Sequence, residues 1–498
     1  MKRRDLVLLR LIVSLGLILP GRVTAQTFTI LHNFTATSGP YGGNSDGTGP
    51  QAGLILSGNT LYGTAYGGGD SGKGTVFSAN TDGTAFTNLH SFTLPTENSS
   101  GQFTNSDGSN PSASLVLSGN ALYGTTLLGG SSGNGTVFKL NIDGTGFTNL
   151  HNFTTTPGYP GPYTNSDGAN PSAGLILAGN TLYGTTGSGG GSGRGTIFTI
   201  NTDGSGFTNL YSFTATSPYP SYINGDGASP YGGLILSGNK VYGTASSGGS
   251  SGKGTVFAIN TDGTGFTNLH SFTAVYYNAG YYTNNDGANP RAALILSGDT
   301  LYGTASEGGQ SSYGTVFKIN TDGTGFTNLH SFTAVHYYNS YYTNSDGANP
   351  YAGLLLRSNT LYGTASEGGT SGRGTAFAIN TDGTDFMNLH TFIASEGATP
   401  RGVLILSGDT LYGTAPFATS SGSGAVFSLS FAPPLTITPS GSNGILSWPS
   451  NFAGFNYTGY ALQAAPAITG TFTNLPGATS PYTNPITGAQ QFFRLISN

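Results

Sequence analysis

The 498-residue chain has no cysteine, one tryptophan and only 37 charged side chains, 16 basic and 21 acidic. Without cysteine no disulfide can staple it, so its stability has to come from buried surface. Charged residues make up 7% of the sequence, against roughly 25% in ordinary globular domains, which argues against a typical intracellular enzyme. Beyond the first 25 residues nothing approaches the ~20 consecutive apolar residues of a membrane span. Disorder is excluded by the opposite observation: 28 Tyr and 29 Phe, with recurrent Leu, Ile and Val, supply apolar surface that low-charge disordered chains lack.

Residues 1–25 combine a basic start (Lys2, Arg3, Arg4), an apolar run over 6–19 and the small-residue ending Val23-Thr24-Ala25. This predicts a secretory signal peptide; the Arg3-Arg4 pair also suits a twin-arginine signal, which would imply export in the folded state. Its removal takes away five basic residues and one acid, moving the formal charge from −5 to −9. That balance disfavours nucleic acid and anionic membranes, both of which are bound through Lys and Arg. The expectation is a secreted protein, extracellular or at the cell surface, with the periplasm as the alternative.

A [Leu/Val]-Tyr-Gly-Thr signature begins at Leu61, Leu122, Leu182, Val241, Leu301, Leu361 and Leu411, at spacings of 61, 60, 59, 60, 60 and 50 residues. Each copy holds four segments of the type LILSG, NTLYGTA, GTVFAIN and FTNLHSF. All are rich in β-branched and aromatic residues and bounded by Gly, Asn or Asp, so each reads as a strand. Ser-Gly-Asn or Ser-Gly-Asp and Asn-Thr-Asp-Gly supply the hairpin turns. One copy is therefore a four-stranded meander, and such units either stack or close into a propeller.

Seven FTNLHSF-like segments occur, but shifted by one: the first, residues 28–34, precedes every Tyr-Gly-Thr copy, and the last GAVFSLSF (424–431) has none after it. A ring resolves both deficits if the amino-terminal segment completes the last blade and leaves no open edge. Small residues (Ala52-Gly53, Ala113-Ser114, Ala173-Gly174, Gly232-Gly233, Ala292-Ala293, Ala352-Gly353, Gly402-Val403) are expected to begin each inner strand, as crowding around an axis demands. The predicted fold is all-β, a seven-bladed β-propeller over residues 26–432 closed by the amino-terminal strand; an open β-solenoid is the alternative.

In its Leu-Tyr-Gly-Thr, Gly-Gly loop, Gly-Thr-Val-Phe and Asn-Thr-Asp-Gly elements the chain resembles the bacterial extracellular tandem repeats known as GloVer repeats, found in choice-of-anchor proteins. The resemblance covers about residues 28–431. It implies a secreted, propeller-like repeat protein with a variable attachment region and carries no catalytic residue with it. After Ala432-Pro433-Pro434, read as a linker, residues 433–498 hold five short apolar runs and Trp448. They predict a small β-sandwich of immunoglobulin or fibronectin III style, acting as a cap or attachment module.

Three repeated features invite chemistry. His32, His90, His151, His270, His330 and His390 share one place in the repeat, with Tyr211 in the fourth copy. A metal ligand would not exchange with Tyr, so packing or a repeated hydrogen bond is expected. The Gly-rich loops ending at Thr75 and Thr255 approach a phosphate-loop pattern but join two strands, and Gly74 and Gly254 stand where Ser or Thr is needed. Asn-x-Asp-Gly motifs (Asn44/Asp46, Asn105/Asp107, Asn165/Asp167, Asn224/Asp226, Asn284/Asp286, Asn344/Asp346) are half of a calcium loop, without its bidentate Glu. They read as Asx turns aimed at the next Pro. No cofactor is expected, with Ca²⁺ the one candidate. The non-repeating acids include Glu307 and Glu367, which are shared by two copies only and leave a polysaccharide hydrolase or lyase as one alternative.

The long connections between copies lie on the same side as the Gly-rich loops and carry most of the variation. They hold Tyr281, Tyr282, Tyr341 and Tyr342 among many Tyr, while the Gly-rich loops hold Lys73, Asn134, Arg194, Lys253, Tyr313 and Arg373. Next to the central mouth one position varies as Gln51, Ser112, Ser172, Tyr231, Arg291, Tyr351 and Arg401. Tyr rings stack on sugar faces while amides and guanidinium groups bind sugar hydroxyls. Alternatively, the Tyr side chains serve only to pack the long loops over the ring. The reading is a monomeric, non-enzymatic extracellular protein that binds polysaccharide through Tyr231, Arg291, Tyr351, Arg401, Tyr281, Tyr282, Tyr341 and Tyr342; a structural, adhesion or protein-interaction scaffold is the second alternative.

Overall fold

The computed structural model describes residues 9–10, 26–157, 163–219, 221–278, 280–338, 341–417, 421–431, 435–440, 443–448, 451–452, 455–456, 460–466, 471–485 and 491–497. The expected signal peptide, apart from Leu9–Arg10, the linker 432–434 and Tyr159 lie outside them. All regular structure among the described residues is β.

In the first repeat Ile55–Ser57, Thr60–Ala65, Thr75–Asn80 and Thr87–Ser91 pair antiparallel in chain order. Five further four-stranded sheets repeat this order. In the seventh, Ile405–Ser407, Thr410–Ala415 and Ala425–Phe431 are joined at the edge by Gln26–Asn33. The arrangement is propeller-like. The innermost strands begin at Ile55 and its equivalents, two residues beyond the small pairs that were expected to begin them.

The repeated Gly of Leu-Tyr-Gly-Thr has a packing reason. Gly63 pairs with Phe77 across the sheet, and a Cβ there would lie 2.6 Å from Phe77 Cζ and 2.8 Å from Leu54 Cδ2. The ring thus occupies the space a side chain would need, and Gly124, Gly184, Gly243, Gly303, Gly363 and Gly413 repeat the arrangement. A register shift between Val76 and Phe77 bulges the outermost strand at Leu89, a device that also strengthens local twist.

Both faces of the middle strands are buried because each sheet packs between two others. Tyr62, Val76 and Phe92 of the first sheet share a core with Leu115, Leu122, Phe138 and Leu140 of the second. Phe34, Tyr412 and Val426 of the seventh share one with Leu54, Leu61 and Phe77 of the first. The small residues carry the innermost contacts. A Cβ on Gly53 would lie 3.0 Å from both Ser114 Oγ and Val403 O, and one on Gly353 would lie 2.9 Å from Ala293 O and 3.2 Å from Val403 Cγ2. The Thr of each Leu-Tyr-Gly-Thr donates to a carbonyl of the next copy, from Thr64 to Ala113 O (3.1 Å) through Thr304 to Ala352 O (2.9 Å), and Thr414 donates to Ala52 O at 2.8 Å. The last sheet therefore contacts the first as every other sheet contacts its successor.

Contacts divide the chain into two compact units, one of residues 30–405 and 412–427 and one of residues 1–29, 406–411 and 428–498. In the second unit Thr436–Ser440, Asn443–Ser447 and Tyr482–Pro485 form one sheet. Tyr460–Ala465 and Phe492–Ser497 pair in another. Leu435, Leu446, Leu462 and Phe493 form the core there, with Trp448 against it.

Candidate functional site

The long connections are pinned at their carboxyl ends by the Asn-x-Asp-Gly motif. Asn44 donates to Thr35 O (2.8 Å) and Gly47 O (2.7 Å) and accepts from Gly47 N (2.9 Å) and Gly69 N (2.8 Å), so its amide ties the connection to the Gly-rich loop. This is more than an Asx turn, and it puts both loop classes on one side of the sheets. The buried Asp46 carboxylate does a different job: it accepts from His32 Nε2 (3.0 Å), Thr35 N (3.0 Å) and Thr35 Oγ1 (2.6 Å).

The same pair recurs as His90–Asp107, His151–Asp167, His270–Asp286 and His330–Asp346, at 2.9 to 3.1 Å. In the fourth copy Tyr211 Oη donates to Asp226 at 2.8 Å, and in the last His390 meets Glu396 at 2.9 Å. The imidazoles of His32, His90, His151, His270 and His330 also stack on a Phe of the following sheet, as His32 does on Phe86 with centroids 3.6 Å apart. The repeated hydrogen bond expected of the histidines thus has the motif's Asp as its partner. The signal in the sequence that could link the two features is that an acid is kept opposite the histidine place in every copy, Glu396 standing where the last copy lacks the Asp.

These environments shift the titrations. Burial pushes the Asp167 carboxyl up, but hydrogen bonds from His151 and Thr154 outweigh it and hold the group below its ordinary value; Asp286 and Asp346 behave alike with their own partners. Burial lowers His32 and His390 against the pull of Asp46 and Glu396. Burial and the Asp226 hydrogen bond raise Tyr211. Among the described residues no three His, Cys, Asp or Glu side chains come together as a metal site would require.

Held at their bases, the connections differ at their tips. Three of them, read as loops in the sequence, contain β-hairpins: Thr96–Glu97 with Phe103–Thr104, and the two Tyr-rich ones, Tyr276–Asn278 with Tyr281–Thr283 and His336–Tyr338 with Tyr341–Thr343. Cross-strand pairs Tyr277–Tyr282 and Tyr337–Tyr342 have ring centroids 5.3 and 5.4 Å apart. Tyr282 and Tyr342 remain 62% and 61% exposed, and Tyr276, Tyr277, Tyr337 and Tyr338 more so. These six rings are not spent on packing loops over the sheets. Tyr281 is half-buried, 6.2 Å from Tyr313. Arg373 covers Tyr341, with Cζ 4.9 Å from the ring centroid and Nη2 donating to Tyr341 Oη at 2.9 Å.

The four variable residues after Pro form a continuous arc. Arg291 Cζ lies 5.7 Å from the ring centroids of both Tyr231 and Tyr351, and Arg401 Cζ lies 5.0 Å from that of Tyr351. The Gly-rich loops join this arc to the hairpins: Tyr313 O accepts from Asn349 N (2.8 Å), two residues before Tyr351, and Arg373 O accepts from Thr399 N (2.9 Å), two before Arg401. Burial, together with the nearby Tyr281, Glu367 and Tyr342, raises the Tyr313 phenol. Tyr313 and Arg373 therefore complete the set of eight residues selected from sequence. They stood among the variable Gly-rich loop positions, but only the fold shows that they bridge the two groups.

The model of the Gloeobacter/Verrucomicrobia repeat family matches residues 16–222, 100–281, 221–343 and 334–442. No curated protein matches the sequence. Among solved structures, an ulvan lyase from a polysaccharide lyase family is similar at TM-score 0.44 and 11% identity, covering 79% of this chain and 93% of that one. An oligogalacturonate lyase in complex with manganese is similar at TM-score 0.43 and 10% identity, covering 82% and 97%. The nidogen/laminin complex contains a chain similar at TM-score 0.36 and 11% identity, covering 64% and 89%. Similarity this distant bears on neither activity nor ligand.

Proposed function

This chain belongs to the Gloeobacter/Verrucomicrobia repeat family, and on that premise we propose that it is a secreted, non-enzymatic polysaccharide-binding protein of the cell exterior. In this reading residues 26–432 are a seven-bladed β-propeller closed by its amino-terminal strand, and residues 433–498 are a small β-sandwich that caps or attaches it. The Thr414 to Ala52 hydrogen bond and the core shared by Phe34, Tyr412 and Phe77 support closure.

One observation carries the functional reading: exposed Tyr rings on two hairpins run through Tyr313 and Arg373 into the Tyr231, Arg291, Tyr351, Arg401 arc. Rigid aromatic faces next to guanidinium donors match the alternation of apolar faces and hydroxyl edges in a sugar chain. The repeated histidines, by contrast, are held in structural pairs with Asp or Glu, which favours binding over catalysis.

A glycan array probed with the purified protein and with the Tyr281→Ala, Tyr282→Ala, Tyr341→Ala, Tyr342→Ala variant tests it. The expected result is specific binding by the protein and its loss in the variant. Silence of the unmodified protein across the array would overturn the proposal in favour of a scaffold role.

A further inference from the structure

Charge is distributed unevenly between the two ends of the sheets. At the end carrying the Asn-Thr-Asp-Gly turns, Asp82, Asp143, Asp203, Asp262, Asp322 and Asp382 are fully solvated, one per repeat in the first six sheets. The loop end is the opposite around the arc. Arg194, Lys253 and Arg373 each accept, through the backbone carbonyl, a hydrogen bond of 2.9 Å from Ser229, Asn289 and Thr399, two residues before Tyr231, Arg291 and Arg401 respectively. Each of these cations is therefore tied to an arc residue of the following sheet.

With Arg291 and Arg401 this makes five cations; among the described residues the same loops carry Asp226, Asp286, Asp346 and Glu396, each held by a Tyr or His partner, and beyond these Glu307 and Glu367. A protein with an acidic overall balance thus keeps one cationic sector. Its two innermost cations are uncommitted: neither Arg291 nor Arg401 forms an ion pair among the described residues. Arg401 Nε is buried without a hydrogen-bond partner, which leaves a donor for an incoming acceptor. The Tyr231 and Tyr351 rings flank Arg291, and Tyr351 also faces Arg401. Such rings hold a guanidinium by its face and leave its in-plane N–H donors for a planar anion.

We infer that the saccharide bound here is anionic, its carboxylates or sulfate esters received by Arg291 and Arg401 between the Tyr231 and Tyr351 rings, with Arg194, Lys253 and Arg373 as the surrounding field. This rests on the polysaccharide reading and narrows it. Guanidinium pairs bidentately with either group, so carboxylate and sulfate are two sources of one chemistry. A neutral glucan offers neither.

The test is affinity electrophoresis or calorimetry of the purified protein with dextran, dextran sulfate and polygalacturonate. Binding to dextran sulfate or polygalacturonate but not dextran is expected, and which of the two binds identifies the anion. The Arg291→Gln, Arg401→Gln variant is expected to bind about tenfold or more weakly, and Arg291→Lys, Arg401→Lys to recover part of the loss. Lys240→Gln, which removes one cation at the other end, should change nothing. An unchanged melting temperature in each variant separates lost binding from lost folding. Binding to dextran alone, or to all three equally, overturns the anionic inference while leaving the polysaccharide reading intact. Equal loss with Lys240→Gln overturns the assigned location. No binding to any polymer, together with a silent glycan array, overturns both.

Discussion

The two ends of the repeated sheets are made from the same strands, yet one barely varies and the other varies freely. At the uniform end each turn closes on itself: Asp82 Oδ1 accepts from Thr84 N (2.9 Å) and Thr84 Oγ1 (2.6 Å), and the same bonds recur at Asp143, Asp203, Asp262, Asp322 and Asp382. Side chain and backbone are locked within four residues, and any change costs a hydrogen bond. At the variable end the repeated bonds sit at the loop base, on Asn44, Asp46 and their equivalents, and the residues beyond it are bonded differently from copy to copy. Variation is tolerated where anchoring is remote from the tip, and binding residues collect there for that reason.

The strongest way to break the contrast is to attack what both ends share. Phe317→Ala removes the ring that fills the space above Gly303 and is expected to cost about 3–5 kcal/mol, read from the denaturant midpoint. Next, Asp286→Ala strips the acceptor from His270 Nε2 and Thr273 N, at about 2–3 kcal/mol. Asp262→Ala, in a solvated turn at the uniform end, should cost about 1 kcal/mol or less. A larger loss at Asp262 than at Asp286 would reverse the assignment of anchoring.

Acid should act on the anchors in the same direction. His32 and His390 titrate below the ordinary 6.5 in the folded protein, so it binds fewer protons than the unfolded chain there. Their contribution is complete above about pH 6.5 and declines as pH falls. Asp167, Asp286 and Asp346, held below the ordinary 3.8, add a second loss as pH falls through the acidic range. The melting temperature should therefore drop on acidification from pH 7, first gently and then steeply below about pH 4; a flat profile would show that the pairs contribute no linkage. The smallest stability effect belongs to the tips. Tyr277→Ala and Tyr337→Ala should each stay within about 0.5 kcal/mol, measured by the same unfolding curves.

Much of this architecture is legible in the sequence because it repeats. Leu-Tyr-Gly-Thr, Gly-Thr-Val-Phe and Asn-Thr-Asp-Gly mark strands and turns through local propensity, and the displaced first FTNLHSF segment foretells that Gln26–Asn33 pairs with Ala425–Phe431. The pairing of His32 with Asp46 was not legible in that way. It joins an outer strand to the far end of a connection whose length changes from copy to copy, so no fixed spacing announces it. The Tyr hairpins were missed because their connections are similar in length to most of the others and their short Tyr-rich strands follow none of the repeated motifs.

The sequence by itself determined the strands, the sevenfold repeat and the seat of variation, because backbone preference and hydrophobic alternation act over a few residues. Which variable residues meet was decided by tertiary structure alone. Arg291 lies between Tyr231 and Tyr351, each 60 residues away along the chain, only because packing sheet against sheet turns one repeat length into one side-chain contact.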